Sequence, residues 1–151
     1  MRLRVLLALV FIIGLFFSYP SSAQSNDKKT AKKIEIIHSN SFEYDESTGQ
    51  KAKKLIGNVQ LQHEDILMFC DSAYVFTESN TMNAYSRVRI LQGDSLKLFG
   101  DSLKYDGNTK KALLRGDIRL ISNDAELTTK YLDYDRVQNI AYYYNGGTMI
   151  S

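Results

Sequence analysis

The sequence predicts an all-β protein, repeated antiparallel strands in a twisted open β-jelly roll, with about four units of roughly 30 residues. Three observations carry that expectation. From Ile34 onward there is no proline, the single one being Pro20, so nothing there bars a residue from a central strand. Apolar residues alternate with polar ones, as in Val59-Gln60-Leu61, Val88-Arg89-Ile90 and Ile118-Arg119-Leu120, which places one set of side chains on a single sheet face. These alternating segments also recur at a fixed period.

Two landmark series define the period. Val59, Val88, Ile118 and Met149 follow one another at 29, 30 and 31 residues, and Phe42, Ala73, Leu103 and Leu132 at 31, 30 and 29. Around the second series the text repeats as Phe42-Glu43-Tyr44-Asp45, Leu103-Lys104-Tyr105-Asp106 and Leu132-Asp133-Tyr134-Asp135. A shared period of this length signals stacked supersecondary units.

Each unit reads as two strands. One ends in Tyr-Asp and enters a polar turn, at Glu46 to Gln50, Thr77 to Thr81 or Gly107 to Lys110. The second climbs through Leu55, Tyr85 or Leu113 to the Val-x-Leu or Ile-x-Leu landmark. A tight hairpin follows, in which Gly93 and Asn123 suit the positive φ such turns require. The returning strand puts Ile66 and Met68, Leu96 and Leu98, or Ala125 and Leu127 on one face. After Cys70, Gly100 and Thr129 the alternation slips phase, which predicts a bulge or corner at Cys70-Asp71 and Gly100-Asp101.

The N-terminus sets the compartment. Arg2 and Arg4 precede an apolar run from Val5 to Phe17, and Ser21 and Ala23 are small where a signal peptidase needs small residues. The run is short of the ~20 residues that span a bilayer. Residues 1–23 are therefore expected to be a cleaved signal, 24–33 a flexible basic lead-in and 34–151 the folded domain, exported to the periplasm and associated with the cell envelope. Without Arg2 and Arg4, 17 basic residues face 17 acidic ones, which gives no reason to expect nucleic acid as a partner. The lone Cys70 cannot form an internal disulfide and reads as a small buried hydrophobe.

Catalytic chemistry finds little to stand on. His63 falls at a hairpin position that other units fill with Gln92 and Ser122, so it is expected on an exposed turn. Ser72 and Ser102 recur without a histidine, and no nucleophile–base pair results. Asp65, Asp71, Asp94, Asp101, Asp106, Asp124 and Asp135 come singly or in pairs, with Lys130 at one equivalent place. That suits capping of turn backbone better than a calcium site, so neither a metal nor a cofactor is expected. What remains is the apolar stripe: Val59, Leu61, Ile66, Met68, Val88, Ile90, Leu96, Leu98, Ile118, Leu120 and Leu127. Such a stripe suits a closed sandwich core and, equally, a groove holding the acyl chains of a lipid.

The units Gly57-Asn58-Val59-Gln60-Leu61, Gly116-Asp117-Ile118-Arg119-Leu120 and Gly147-Thr148-Met149, with Asp101 to Asp106 between, resemble the OstA-like (organic solvent tolerance A-like) family, which includes LptA of lipopolysaccharide transport. The resemblance runs from Ile34 to Ser151. It implies a non-enzymatic periplasmic protein whose inner face shields the acyl chains of lipid A on the way to the outer membrane. It also implies like-folded partners in the inner-membrane and outer-membrane transport components, and head-to-tail self-association. The chain stops partway through a unit at Met149-Ile150-Ser151, so Ile34, Ile36, Met149 and Ile150 are expected to form an assembly edge. The competing expectation is a structural β-solenoid that self-assembles in the envelope without binding lipid.

Overall fold

The computed structural model describes residues 32–45, 51–123 and 125–151. The expected signal, most of the expected lead-in, the turn at Glu46 to Gln50 and Asp124 lie outside the described residues. Ten strands form one antiparallel sheet: β1 (Glu35–His38), β2 (Ser41–Asp45), β3 (Ala52–His63), β4 (Ile66–Phe76), β5 (Thr81–Gln92), β6 (Leu96–Asp106), β7 (Lys111–Ser122), β8 (Ala125–Asp135), β9 (Ile140–Tyr143) and β10 (Gly147–Ile150). The six long strands pair in chain order from β3 to β8. β1 and β2 both lie along β3, as two halves of one interrupted strand, and β9 and β10 both lie along β8. Among the described residues the sheet is therefore open at both edges.

Every ladder between the long strands shifts register at mid-strand. In β3 the pair Gly57-Asn58 stands opposite the single residue Asp71 of β4, and Ser86-Arg87 and Gly116-Asp117 are the extra pairs of β5 and β7. Gly57, Asn58, Ser86, Arg87 and Gly116 all have positive φ, which bends the strand sharply. The expected corners at Cys70-Asp71 and Gly100-Asp101 do coincide with these shifts, but the left-handed residues sit on the strands between them. Acidic residues of β4 and β6 hold the corners. Asp71 accepts from Ser86 Oγ (2.7 Å) and Arg87 Nη2 (2.6 Å), and Asp101 accepts from the Asp117 amide (3.0 Å).

The bend folds the sheet onto itself, and the two halves bury one shared core. Leu61, Met68, Ile90 and Leu98 come from one side of the corners, and Leu55, Ala73, Leu103, Leu114 and Leu132 from the other. Full burial of each large aliphatic side chain contributes roughly 2 kcal/mol. The long turns use one device three times: Asn80, Lys110 and Asn139 take positive φ at their last position. Asp106 and Asp135 accept from the amides two and three residues ahead, the capping role expected of the turn acids.

The corner yields a direct prediction. Gly116 has φ of 103°, and a Cβ there would overlap the Asp101 carboxylate. Gly116→Ala should lower stability by about 2 kcal/mol or more, read from the urea midpoint of unfolding. Gly93→Ala, whose added Cβ meets nothing within 4 Å, should cost less.

Candidate functional site

The site has three parts, an apolar interior, two open ends and a polar seam. Of the stripe read from the sequence, Val59, Leu61, Ile66, Met68, Val88, Ile90, Leu96, Leu98, Ile118 and Leu127 lie in the interior, between 0% and 7% exposed. Leu120 is half-buried against them. Lys97 and Arg119, one residue out of phase, face solvent. The sequence reading left out the opposite wall, formed by Leu55, Ala73, Leu103, Leu114 and Leu132. Its signal was present in the Phe42, Ala73, Leu103, Leu132 landmark series, which marks the same inward phase beyond the corner.

Interior-facing residues emerge at both ends, where no further strand among the described residues covers them. Residues directly opposite on paired strands share a face. Phe42 pairs with buried Leu55 and Ile36 with buried Leu61, yet Phe42 is 57% exposed and Ile36 also reaches solvent. At the other end Met149 pairs with buried Leu127 and Tyr143 with buried Leu132, and Met149 is 61% exposed. Ile150 is exposed as well. Ile34 corrects the expected assembly edge. It precedes β1, is buried in the core, and donates its amide to Asn80 Oδ1 at 2.9 Å.

The seam lies opposite the corners, where the β3–β4 hairpin meets the long turns of the facing half. His63 is here, buried rather than on an exposed turn. Its Nδ1 lies 2.7 Å from the Tyr105 hydroxyl and its Nε2 donates to the Lys32 carbonyl (2.9 Å). The repeat position misled because burial there is set by the turns across the seam, not by the hairpin itself. Asn80 also bonds the Lys32 carbonyl (3.0 Å), so the last residues of the expected lead-in strap the seam.

Ion pairs complete the closure. Lys110 Nζ meets Glu64 at 2.8 Å and Arg136 Nη2 meets Asp65 at 2.5 Å, while Arg136 Nη1 donates to the Tyr105 hydroxyl at 2.7 Å. Burial pushes the Tyr105 phenol up to about 12. The Lys110 bond holds the Glu64 carboxyl below its ordinary range. Burial alone would raise Asp65, but the Gln92 amide, a backbone bond and the Arg136 charge outweigh it and hold it low. Cys70 is a buried free thiol, raised to about 11 by desolvation. Among the described residues no group of three or more His, Cys, Asp or Glu is placed to hold a metal ion.

A family model described as OstA-like protein matches residues 31–151, most of the chain. The chain belongs to the OstA-like family. No curated protein matches it in sequence. Among solved structures, the OstA-like chain is similar to LptH from Pseudomonas aeruginosa, described as the LptA-homologous periplasmic component of the conserved lipopolysaccharide transport device. The TM-score is 0.69 at 13% identity, covering 80% of this chain and 95% of that one. At that identity the likeness is one of fold.

The seam predicts an acid limb in stability. Carboxyl groups held low in the folded state stabilise it above their unfolded values, here near 4.5 for Glu64 and 3.8 for Asp65. That contribution is lost as pH falls through the lower folded values. The urea midpoint should therefore fall as pH drops below the ordinary carboxylate range, and the Glu64→Gln, Asp65→Asn double variant should show a shallower fall. An identical acid limb in the variant would exclude the seam as its source.

Proposed function

We propose that this OstA-like protein is a periplasmic lipopolysaccharide-binding bridge or chaperone, which shields lipid A acyl chains between its two half-sheets during transport to the outer membrane. One observation carries the reading. Among the described residues every backbone ladder runs along the sheet and none crosses between its facing halves, so the halves can part at the corners without breaking a ladder. A closed barrel has no such freedom. The interior exposed by parting is a continuous stripe of Leu, Ile, Val and Met, the chemistry that acyl chains match. This role requires no catalysis and no cofactor. Residues 1–23 act as the export signal and 34–151 as the lipid-holding domain.

Photo-crosslinking tests the interior. A crosslinker at Leu98 or Ile118 should label acyl chains, whereas one at Lys97 or Arg119 should not. Equal labelling of both faces would refute the reading. Leu98→Asp should abolish lipid capture, with circular dichroism checking the fold because a buried unpaired charge is costly.

The open ends give the bridge its mechanics. β10 and β1 each leave one edge unpaired among the described strands, and both ends present interior-facing apolar side chains. Joining one molecule's last strand to another's first is heterologous and need not close, so it extends into a filament or onto a like-folded component of either membrane. Concentration-dependent association is expected in light scattering, and Met149→Lys, which places a charge on the exposed inward position, should reduce it. The same edges would also serve a structural solenoid that assembles without lipid. Protein purified from the envelope with no bound acyl chains, yet still assembling, would favour that second reading.

A further inference from the structure

We propose that Arg136 and Lys110 form a recognition site for the phosphate oxygens of an amphiphile's head group, and that occupying it releases the seam. The inference rests on the reading that acyl chains enter between the half-sheets. Chains inserted through the seam leave their head group at its rim, and these two cations stand there.

The Arg136 side chain is only 5% exposed. Nη1 is committed to Tyr105 and Nη2 to Asp65, but Nε is buried with no hydrogen-bond partner among the described residues. Buried donors are almost always satisfied, so an orphaned one on a planar fork shaped for oxyanions points to an absent acceptor. Lys110 supports this independently. It occupies the positive-φ place that Asn80 and Asn139 fill in the other turns, a conformation asparagine accepts more readily than lysine. Its ammonium is thereby aimed across the seam at Glu64, beside Arg136.

Glu64 and Asp65 now neutralise the two cations, and they can let go. Their side chains are 27% and 58% exposed, so each carboxylate can turn to water when displaced. A phosphate dianion in their stead preserves the charge balance. Because those two ion pairs join the β3–β4 hairpin to the opposite turns, moving the cations onto the ligand unfastens that stretch of the seam. Binding and opening are then one event, driven by the ligand's preference for the open state.

The test uses the full exported protein with three probes: lipid A, the same lipid with its phosphates removed, and inorganic phosphate alone. Wild type should capture the phosphorylated lipid roughly tenfold more tightly than the dephosphorylated one, as expected of charge-assisted bonds. Lys110→Asn, matching the asparagine of the sibling turns, should largely abolish that preference, read as the ratio of the two lipids' affinities for the same variant. Arg136→Gln should do the same, with circular dichroism reporting its fold and Lys110→Asn standing alone should it unfold. Inorganic phosphate should bind far more weakly than the lipid. Equal capture of both lipids by wild type, a preference that survives in Lys110→Asn, or free phosphate binding as tightly as the lipid would each overturn the inference alone. Capture of neither lipid would overturn the lipid-shielding reading, and this one with it.

Discussion

The bend shared by all the long strands governs everything else in this protein. A strand of 11 or 12 residues is roughly 40 Å long, and a flat sheet of such strands would leave one whole apolar face in water. Placing a bulge at the same height in β3, β5 and β7 turns that face upon itself, so each half of the sheet covers the other. Positive φ at Gly57, Ser86, Arg87 and Gly116 makes the bend, and Asp71 and Asp101, each between two bulges, hold it. The interior exists because the corners align.

A core made by folding one sheet differs from one made by closing it. Closure would satisfy the edges and fix the distance between facing walls. Here the walls are joined along the corners by backbone and along the seam by bonds that each use at least one side chain, and among the described residues both outer edges stay unpaired. The corners and the Leu61–Leu98–Leu114–Leu132 core hold the fold, whereas the seam is fastened by polar contacts and the ends carry exposed apolar side chains. The polar seam resists opening more through its geometry than through the strength of any one pair, since partly exposed ion pairs contribute modestly.

Much of the fold was legible in the sequence because a strand's periodicity is local. The inward phase of Val59, Leu61, Met68 and Leu98 follows from alternation alone, and the 30-residue period follows from counting. The corner was only half visible, for a geometric reason. In β4, β6 and β8 successive buried residues across the corner, such as Cys70 and Ala73, are three apart, which breaks the alternation. In β3, β5 and β7 they are four apart, as with Leu55 and Val59, so two extra residues preserve the parity and hide the bend.

The sequence by itself determined strand phase, repeat length, the turn residues and the membership of one apolar face, all set by neighbours within a few residues. The tertiary structure alone decided which residues meet across the seam. His63 is buried by Tyr105, 42 positions away, and Asp65 meets Arg136 across 71. No local pattern encodes such pairs, because the fold of the sheet at its corners sets the distance between them. Ile34 follows the same rule, drawn into the core by an amide bond to Asn80 that only the folded seam supplies.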